Sequence, residues 1–225
     1  MTPAPDPRTW ADAGTGLLLA GLDTLSDAEL DQPCALAGWT RRHLLAHVAS
    51  NAEALGRLLS WARTGVETPM YGSPGERAAA IESGASRPDL RRWVAASAAE
   101  LAEAADAMPA TAWAAEVVTA QGRTVAAGET SWMRARETCV HAVDLGTGTT
   151  FDDLPEGFLA VLVDDIAAWR SARPGPAIRL ITPHTGHEIT GDGTPVPVDL
   201  PLATAAAWLA GRHREAGLPT LPHWL

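Results

Sequence analysis

Most of the chain carries apolar residues at intervals of three and four, with polar residues between them. This spacing predicts amphipathic helices, because residues three and four apart share one helical face. A first helix is predicted over residues 10–25 and a second over residues 41–65, with Thr40 as its N-cap. A third helix is predicted to begin after Ser73. Ser73 is a capping residue, Pro74 occupies the first helical position, and Glu76 is an acid two residues later.

The pattern continues through a long helix that follows Arg87-Pro88 and ends at Pro109. Residues 113–129 alternate around Gln121-Gly122, which favours a short hairpin. A helix over residues 131–145 is then predicted between Thr130 as N-cap and Gly146 as the stop. On this helix we expect three charged side chains to face solvent, namely Arg134, Arg136 and Asp144.

A further helix is predicted over residues 155–169. After it, the spacing of the apolar residues changes from the helical period to a period of two. Residues 171–176, SARPGP, are typical of a linker. Three strand-like runs follow, AIRLIT, HEITG and PVPVDL, and residues 202–212 return to a helical pattern. The fold class is therefore predicted to be α+β, with a helical domain over residues 1–172 and a small α+β domain over residues 177–225.

Charge and composition narrow the classes of partner. The net charge is −10, and all 17 basic residues are arginines. Nucleic acid is not expected as a partner, because it requires a basic surface. The sequence contains neither an apolar run of about 18 residues nor a signal-peptide pattern, so no membrane association is expected. Cys34 and Cys139 have no CxxC partner and are expected to be free thiols in a cytoplasmic protein.

A candidate metal site begins on the predicted helix over residues 131–145. Glu137 and His141 are four apart, so a helix places both side chains on one face. A solvated pair is the ordinary alternative, and a metal would need at least a third protein ligand. His47 lies beside the apolar stripe of the second helix, with His43 one turn before it, and either a core role or a ligand role is open for each.

Several segments resemble the mycothiol-dependent maleylpyruvate isomerases, which belong to the DinB-like metal-binding superfamily. The resemblance lies in GWTRRHLLAHVASNAEAL, ARTGVETPMYGSPGERAAAI, VVTAQGRTVAAGETSWMRARETCVHAVDL and the terminal LPHWL. It covers nearly the whole chain and is looser over residues 86–115 and in the C-terminal part. It implies an N-terminal DinB-like up-and-down four-helix bundle, followed by the small α+β domain.

The resemblance also implies the site residues. The family's metal ligands fall on His47, Glu137 and His141, with zinc as the expected metal. His43 is then expected to be structural or to lie behind the ligands. Asp144, one turn past His141, either orients that imidazole or is a surface carboxylate.

Two arginines of the family fall on Arg77 and Arg212. In this interpretation they contact a small dicarboxylate substrate, because guanidinium groups are permanently charged and bind carboxylates in a bidentate manner. Each would otherwise be an exposed helical arginine.

The implied reaction is the conversion of maleylpyruvate to fumarylpyruvate, with mycothiol as thiol cosubstrate. Rotation about the double bond requires it to become single transiently, which conjugate addition of a thiolate achieves. Cys139 lies off the face of Glu137 and His141, so the cosubstrate is expected to supply the thiol. The site is expected between the bundle and the C-terminal domain of a monomer or weak oligomer. Alternatives are another mycothiol-dependent enzyme, such as a thiol S-transferase, or a non-catalytic DinB-like metal-binding protein.

Overall fold

A computed structural model describes residues 6–183 and 185–224, which form two compact units. The first unit spans Asp6–Thr149, and the second contains the described chain from Thr150 onward. The predicted boundary at 172–177 lies later than this division. The reason is that the helix Glu156–Ser171, which was assigned to the bundle, packs against helix and strand residues of the second unit.

Helices make up most of the first unit. They are α1 (Pro7–Asp23), α2 (Asp27–Leu30), α3 (Arg41–Thr64), α4 (Pro74–Ala85), α5 (Leu90–Asp106) and α6 (Glu129–Asp144), with a hairpin of β1 (Glu116–Val118) and β2 (Thr124–Ala126) before α6. Four helices enclose the core: α1 packs on α6, α6 on α3, α3 on α5, and α5 on α1. The described residues of this unit therefore contain a four-helix bundle, with α4 placed against α3.

Capping residues explain where several of these helices begin and end. Thr40 caps α3, and Gly65 ends it with a φ of 72°, a left-handed conformation that glycine adopts without strain. The Ser73 hydroxyl accepts a hydrogen bond from the Glu76 backbone at 3.2 Å at the start of α4. These signals confirm the predicted helix starts at Arg41 and Pro74.

The start of α6 differs from the prediction. Gly128 is the N-cap, and Thr130 lies inside the first turn, where its hydroxyl donates to the Ala127 carbonyl at 2.6 Å. The hairpin runs directly into this helix, since Ala127 and Gly128 donate backbone hydrogen bonds to residues before β1. Tertiary pairing thus sets the helix start two residues earlier. The predicted stop at Gly146 is confirmed, because its φ is 71°.

The second unit contains α7 (Glu156–Ser171), β3 (Pro176–Ile181), β4 (Gly186–Ile189), β5 (Asp192–Asp199) and α8 (Leu202–Leu209). The sheet order is β4-β3-β5, with β3 antiparallel to β4 and parallel to β5. The α+β class is confirmed. The last helix is shorter than predicted, because it ends at Leu209 and Gly211 turns the chain with a φ of 75°.

No helix within residues 6–183 and 185–224 is long and apolar enough to cross a membrane.

A close helix–helix contact in the bundle yields a stability prediction. A Cβ added at Gly14 of α1 would lie 2.6 Å from the Cys139 backbone nitrogen of α6, whereas at Gly16 it would meet nothing within 4 Å. Gly14→Ala is therefore expected to lower the free energy of unfolding by about 1–3 kcal/mol. Gly16→Ala, the matched control, should raise it by about 0.4–1 kcal/mol. Urea denaturation of both variants measures the difference, and equal effects would contradict this packing.

Candidate metal centre

Two bundle helices bring the predicted ligands together. His47 lies on α3, and Glu137 and His141 lie one turn apart on α6, which packs against α3. The apolar stripe of α3 buries Leu44 and Val48 completely and carries His47 into the interior, where it is only 4% exposed. His47 therefore faces α6 because it lies on the buried face of α3.

The three side chains converge on a single carboxylate oxygen. Glu137 Oε2 lies 2.9 Å from His47 Nε2 and 3.2 Å from His141 Nε2. The donor atoms of all three residues lie within 4.8 Å of one another, and the two imidazole centroids are 5.1 Å apart. Within the described part of the chain, this is the only group of three or more such side chains close enough to hold a metal ion. We refer to His47, Glu137 and His141 as the metal-ligand triad.

The pKa shifts of Glu137 and His141 show how closely the side chains of this site interact. Burial opposes the ionised form of Glu137, but its interactions with His47 and His141 hold the pKa of the carboxyl well below its usual range. Burial also opposes the charged form of His141, yet the hydrogen bonds that its ring donates to Asp144 and Glu137 raise the pKa of the imidazole to about 9. The pocket thus pairs an ionised carboxylate with a positively charged imidazole.

A carboxylate behind His141 fixes the orientation of its ring. Asp144 Oδ2 lies 2.9 Å from His141 Nδ1, and Asp144 is completely buried. The sequence leaves two roles open for Asp144, a surface carboxylate and a group that orients the imidazole of His141, and this contact supports the second. With Nδ1 donating to Asp144, the ring is held with Nε2 facing Glu137, which is a usual arrangement behind a metal-binding histidine.

The donor set fits a divalent metal of the zinc type. Two imidazole nitrogens and one carboxylate oxygen are three protein ligands of the kinds that zinc accepts, and a fourth position would remain for an exogenous ligand. His47 Nδ1 is buried and lacks a hydrogen-bond partner within the described residues, whereas Nε2 faces Glu137 Oε2 at 2.9 Å, so Nε2 is the nitrogen of this ring that would ligate a metal. A cation shared by the three groups would explain why they converge.

Arg134 holds the two ligand-bearing helices in register. It was expected to face solvent, but it is 5% exposed, and its Nη1 donates to the Val48 carbonyl at 2.9 Å and to Asn51 Oδ1 at 3.1 Å. Burial lowers the pKa of the guanidinium to about 10, against the opposing effect of Glu137. The arginine therefore ties α6, one turn before Glu137, to α3 beside His47.

Arg77 is exposed and interacts with Tyr71, the only tyrosine in the chain. Burial raises the pKa of the Tyr71 hydroxyl, Arg77 lowers it through its charge and a hydrogen bond, and the charge of Glu137 raises it. Tyr71 thus lies within the electrostatic range of both Arg77 and Glu137. The sequence pattern alone assigns no role to Tyr71.

Arg212 belongs to the second compact unit. It follows the end of α8 and is not on the helix as predicted. Its Nη1 donates to the Ala210 carbonyl at 2.6 Å, and its guanidinium lies 5.9 Å from the centroid of the Trp224 ring.

His43 has a structural contact instead of a position in the triad. Its Nδ1 lies 2.7 Å from the Thr40 hydroxyl and accepts a hydrogen bond from the Thr40 backbone at 3.3 Å, completing the cap of α3. Its Nε2 lies 3.6 Å from Glu82. These contacts agree with the structural role expected for it.

Both cysteines are free thiols, as predicted. Cys139 is fully buried, lies 3.4 Å from the Trp10 carbonyl, and burial raises its pKa to about 12. Burial likewise raises the pKa of Cys34. Neither thiol is activated, because a reactive cysteine needs a lowered pKa.

Comparison with known proteins identifies the relatives of this chain. A family model described as the mycothiol maleylpyruvate isomerase N-terminal domain matches residues 11–146. A crystal structure of a mycothiol-dependent maleylpyruvate isomerase is 40% identical, with a TM-score of 0.92 over 99% of this chain and 97% of that chain. A structure of a histidine-to-alanine mutant of such an enzyme gives a TM-score of 0.91 at the same identity and coverage.

No curated protein sequence matches the chain. The family model spans more than half of the sequence, and the solved relatives align with almost all of it. The resemblance seen in the sequence is thereby confirmed, and the chain belongs to the mycothiol maleylpyruvate isomerase family.

Proposed function

We propose that this protein is a cis–trans isomerase that converts maleylpyruvate to fumarylpyruvate with mycothiol as cosubstrate. We further propose that it holds zinc on His47, Glu137 and His141. The observation that carries the proposal is the convergence of two histidines on one buried carboxylate oxygen, in a chain 40% identical to a mycothiol-dependent maleylpyruvate isomerase along its length. The two free thiols agree with a cytoplasmic enzyme.

Bound zinc would supply one piece of chemistry, because a thiol that coordinates zinc is held as its thiolate near neutral pH. The protein prepares the position for it. Glu137 is ionised, and Asp144 directs the Nε2 atom of His141 toward the carboxylate. Trp39 packs edge-on against His47, with ring centroids 5.6 Å apart, and restricts water on that side of the imidazole.

Isomerisation needs charge stabilisation when the thiolate adds to the double bond, because the adjoining carbonyl becomes an enolate. Arg77 supplies a permanent positive charge beside Tyr71. The Tyr71 hydroxyl keeps its proton at neutral pH, since burial raises its pKa, and it can donate a hydrogen bond to the developing oxyanion. In this account Arg77 contacts a substrate carboxylate or the enolate, and Arg212 contributes a second cation.

The protein's own thiols are excluded as nucleophiles in this proposal. Cys139 is buried against α1, and its pKa of about 12 leaves almost no thiolate at neutral pH. The nucleophile must therefore enter with the cosubstrate. The same ligands would serve an S-transferase, but the full-length similarity to an isomerase favours isomerisation.

The requirement for an added thiol tests this proposal. Wild-type protein should consume maleylpyruvate only when mycothiol is present, and Cys34→Ser and Cys139→Ser should keep more than about half of the wild-type rate, as expected for residues outside the site. The rate is followed by absorbance of the substrate, with fumarylpyruvate identified as the product. Full turnover in thiol-free buffer would remove the cosubstrate from the account, and a stable mycothiol adduct as sole product would indicate an S-transferase.

A further inference from the structure

A cavity of about 350 Å³ lies between α3, α4 and the loop that joins them. This volume is within the range of small-molecule sites. The residues that line the cavity include Ser50, Glu53, Arg57, Tyr71, Glu76 and Ala80.

The cavity adjoins the metal-ligand triad through two of its lining residues. Ser50 lies three residues after His47 on α3, so the two side chains share one helical face. Tyr71 lines the cavity and also lies within the electrostatic range of Glu137. A molecule in the cavity could therefore extend a short arm along α3 to the ligands.

One buried hydroxyl at the cavity is unsatisfied. Ser50 is 3% exposed, and its Oγ has no hydrogen-bond partner within the described residues. A buried hydroxyl without a partner costs roughly 1–3 kcal/mol, so its presence in the wall points to an external partner, either water or a ligand.

The charged groups around the cavity are held in place by the protein. Glu53 Oε1 accepts a hydrogen bond from Trp93 Nε1 at 2.6 Å, and Glu76 Oε2 accepts one from the Gly72 backbone at 2.8 Å. The Nη1 atom of Arg57 donates to the Met70 carbonyl at 2.6 Å. Each carboxylate and the guanidinium keep further oxygen or nitrogen atoms that can hydrogen-bond to a ligand. The cavity wall therefore offers both donors and acceptors in fixed positions.

This lining discriminates between the two small molecules of the proposed reaction. Two carboxylates and one guanidinium line the cavity, and Arg77, which interacts with Tyr71, brings a second positive charge, so the cavity has no excess of positive charge for a dicarboxylate such as the substrate. Fixed carboxylates, a serine hydroxyl and an aromatic ring instead suit a neutral ligand with many hydroxyl groups, because carboxylates accept hydroxyl protons and the ring packs on C–H faces.

We infer that this cavity binds the hydroxyl-rich, sugar-like body of the thiol cosubstrate, so that its cysteine arm extends along α3 toward the metal-ligand triad. The inference rests on the proposed function for the identity of the cosubstrate. It places the cosubstrate body beside Ser50 and the dicarboxylate beside Arg77, with Tyr71 shared by the two parts of the site.

Filling the cavity tests the inference. Ala80→Phe places a ring in the cavity, and Ala79→Phe, on the exposed face of the same helix, is the matched control. Two measurements are made on each variant, with zinc content checked in the same preparations. One is binding of S-methyl mycothiol by calorimetry, which needs neither a free thiol nor turnover. The other is the KM for mycothiol and for N-acetylcysteine, a thiol without the sugar-like part.

Ala80→Phe should weaken S-methyl mycothiol binding and raise the KM for mycothiol by about tenfold or more, the loss expected when one well-placed contact is blocked. Its KM for N-acetylcysteine and its zinc content should match those of Ala79→Phe. Ser50→Ala, which adds no bulk and so avoids a folding defect, should weaken S-methyl mycothiol binding by about fivefold, the value of one hydrogen bond.

Equal binding of S-methyl mycothiol by Ala80→Phe and Ala79→Phe, or no binding by wild type, would overturn the inference. Binding that depends on residue 80 without any isomerisation by wild type would leave the cavity assignment intact and reject the proposed function. The two failures are therefore distinguishable.

Discussion

Glu137→Ala is expected to leave the protein without bound zinc and to reduce isomerisation by more than about a hundredfold. Glu137 Oε2 is the atom on which His47 and His141 converge, so its removal takes away a ligand and the negative charge that favours the cation. Loss of a residue behind a metal ligand already costs roughly 10–100-fold in affinity or activity, and loss of a ligand should cost more. Elemental analysis and the maleylpyruvate rate are measured on one preparation, with His47→Ala and His141→Ala expected to behave alike.

Asp144→Asn is the graded control for this experiment. The asparagine keeps an oxygen near His141 Nδ1 but loses the charge of the buried carboxylate. We expect zinc affinity to fall by roughly 10–100-fold, with full occupancy restored at high zinc concentration. Full zinc occupancy in all three ligand variants would contradict the proposed metal site.

Arg77→Ala is expected to keep its zinc and its affinity for mycothiol while its turnover falls by about a hundredfold. The guanidinium cannot coordinate a metal, and it interacts with Tyr71, whose hydroxyl also responds to the charge of Glu137. Removal of one charged contact to a transition state typically costs about 3 kcal/mol, which corresponds to a loss of turnover of about a hundredfold. Arg77→Lys should recover only part of it, because lysine keeps the charge without the bidentate geometry.

Arg212→Ala tests the second cation in the same assay. We expect retained zinc and a loss of turnover, with Arg214→Ala as a control at a nearby arginine of the same segment. A wild-type rate in Arg212→Ala would mean that the second unit does not supply a cation to the reaction. An Arg77 variant that lost zinc would show that Arg77 supports the metal centre instead of the substrate.

The metal-ligand triad could be predicted from sequence only in part. The spacing of Glu137 and His141 was sufficient to place them on one face of α6, because a helix has a fixed period. His47 remained ambiguous, since nothing local shows which helix a buried histidine will face. Family resemblance supplied that pairing, and the structure brings His47 Nε2 within 2.9 Å of Glu137.

The errors on α6 have a common physical cause. A solvent-facing position was predicted for Arg134 and was one of two alternatives for Asp144, because charged residues are rarely buried without partners. Both are buried here, and each has a partner: Asn51 and a backbone carbonyl for Arg134, and His141 for Asp144. Such partners lie on another helix or depend on a neighbour's orientation, so periodicity alone cannot reveal them.

The placement of α7 was also beyond the sequence pattern. Its apolar stripe predicted a helix correctly but does not specify which surface covers it. The linker SARPGP suggested a boundary after α7, whereas the compact units divide before it. A turn-rich segment marks a change in chain direction, and it does not by itself mark where packing contacts end.

Proton NMR of the reaction product tests the central claim most directly. Metal-stripped protein, and the same protein reloaded with zinc, are each incubated with maleylpyruvate and mycothiol, and the vinyl proton coupling constant is followed over time. The account predicts that the cis coupling is replaced by the trans coupling of fumarylpyruvate only in the reloaded sample, with mycothiol recovered unchanged. Unchanged cis substrate in the reloaded sample, or equal conversion by the stripped protein, would contradict it.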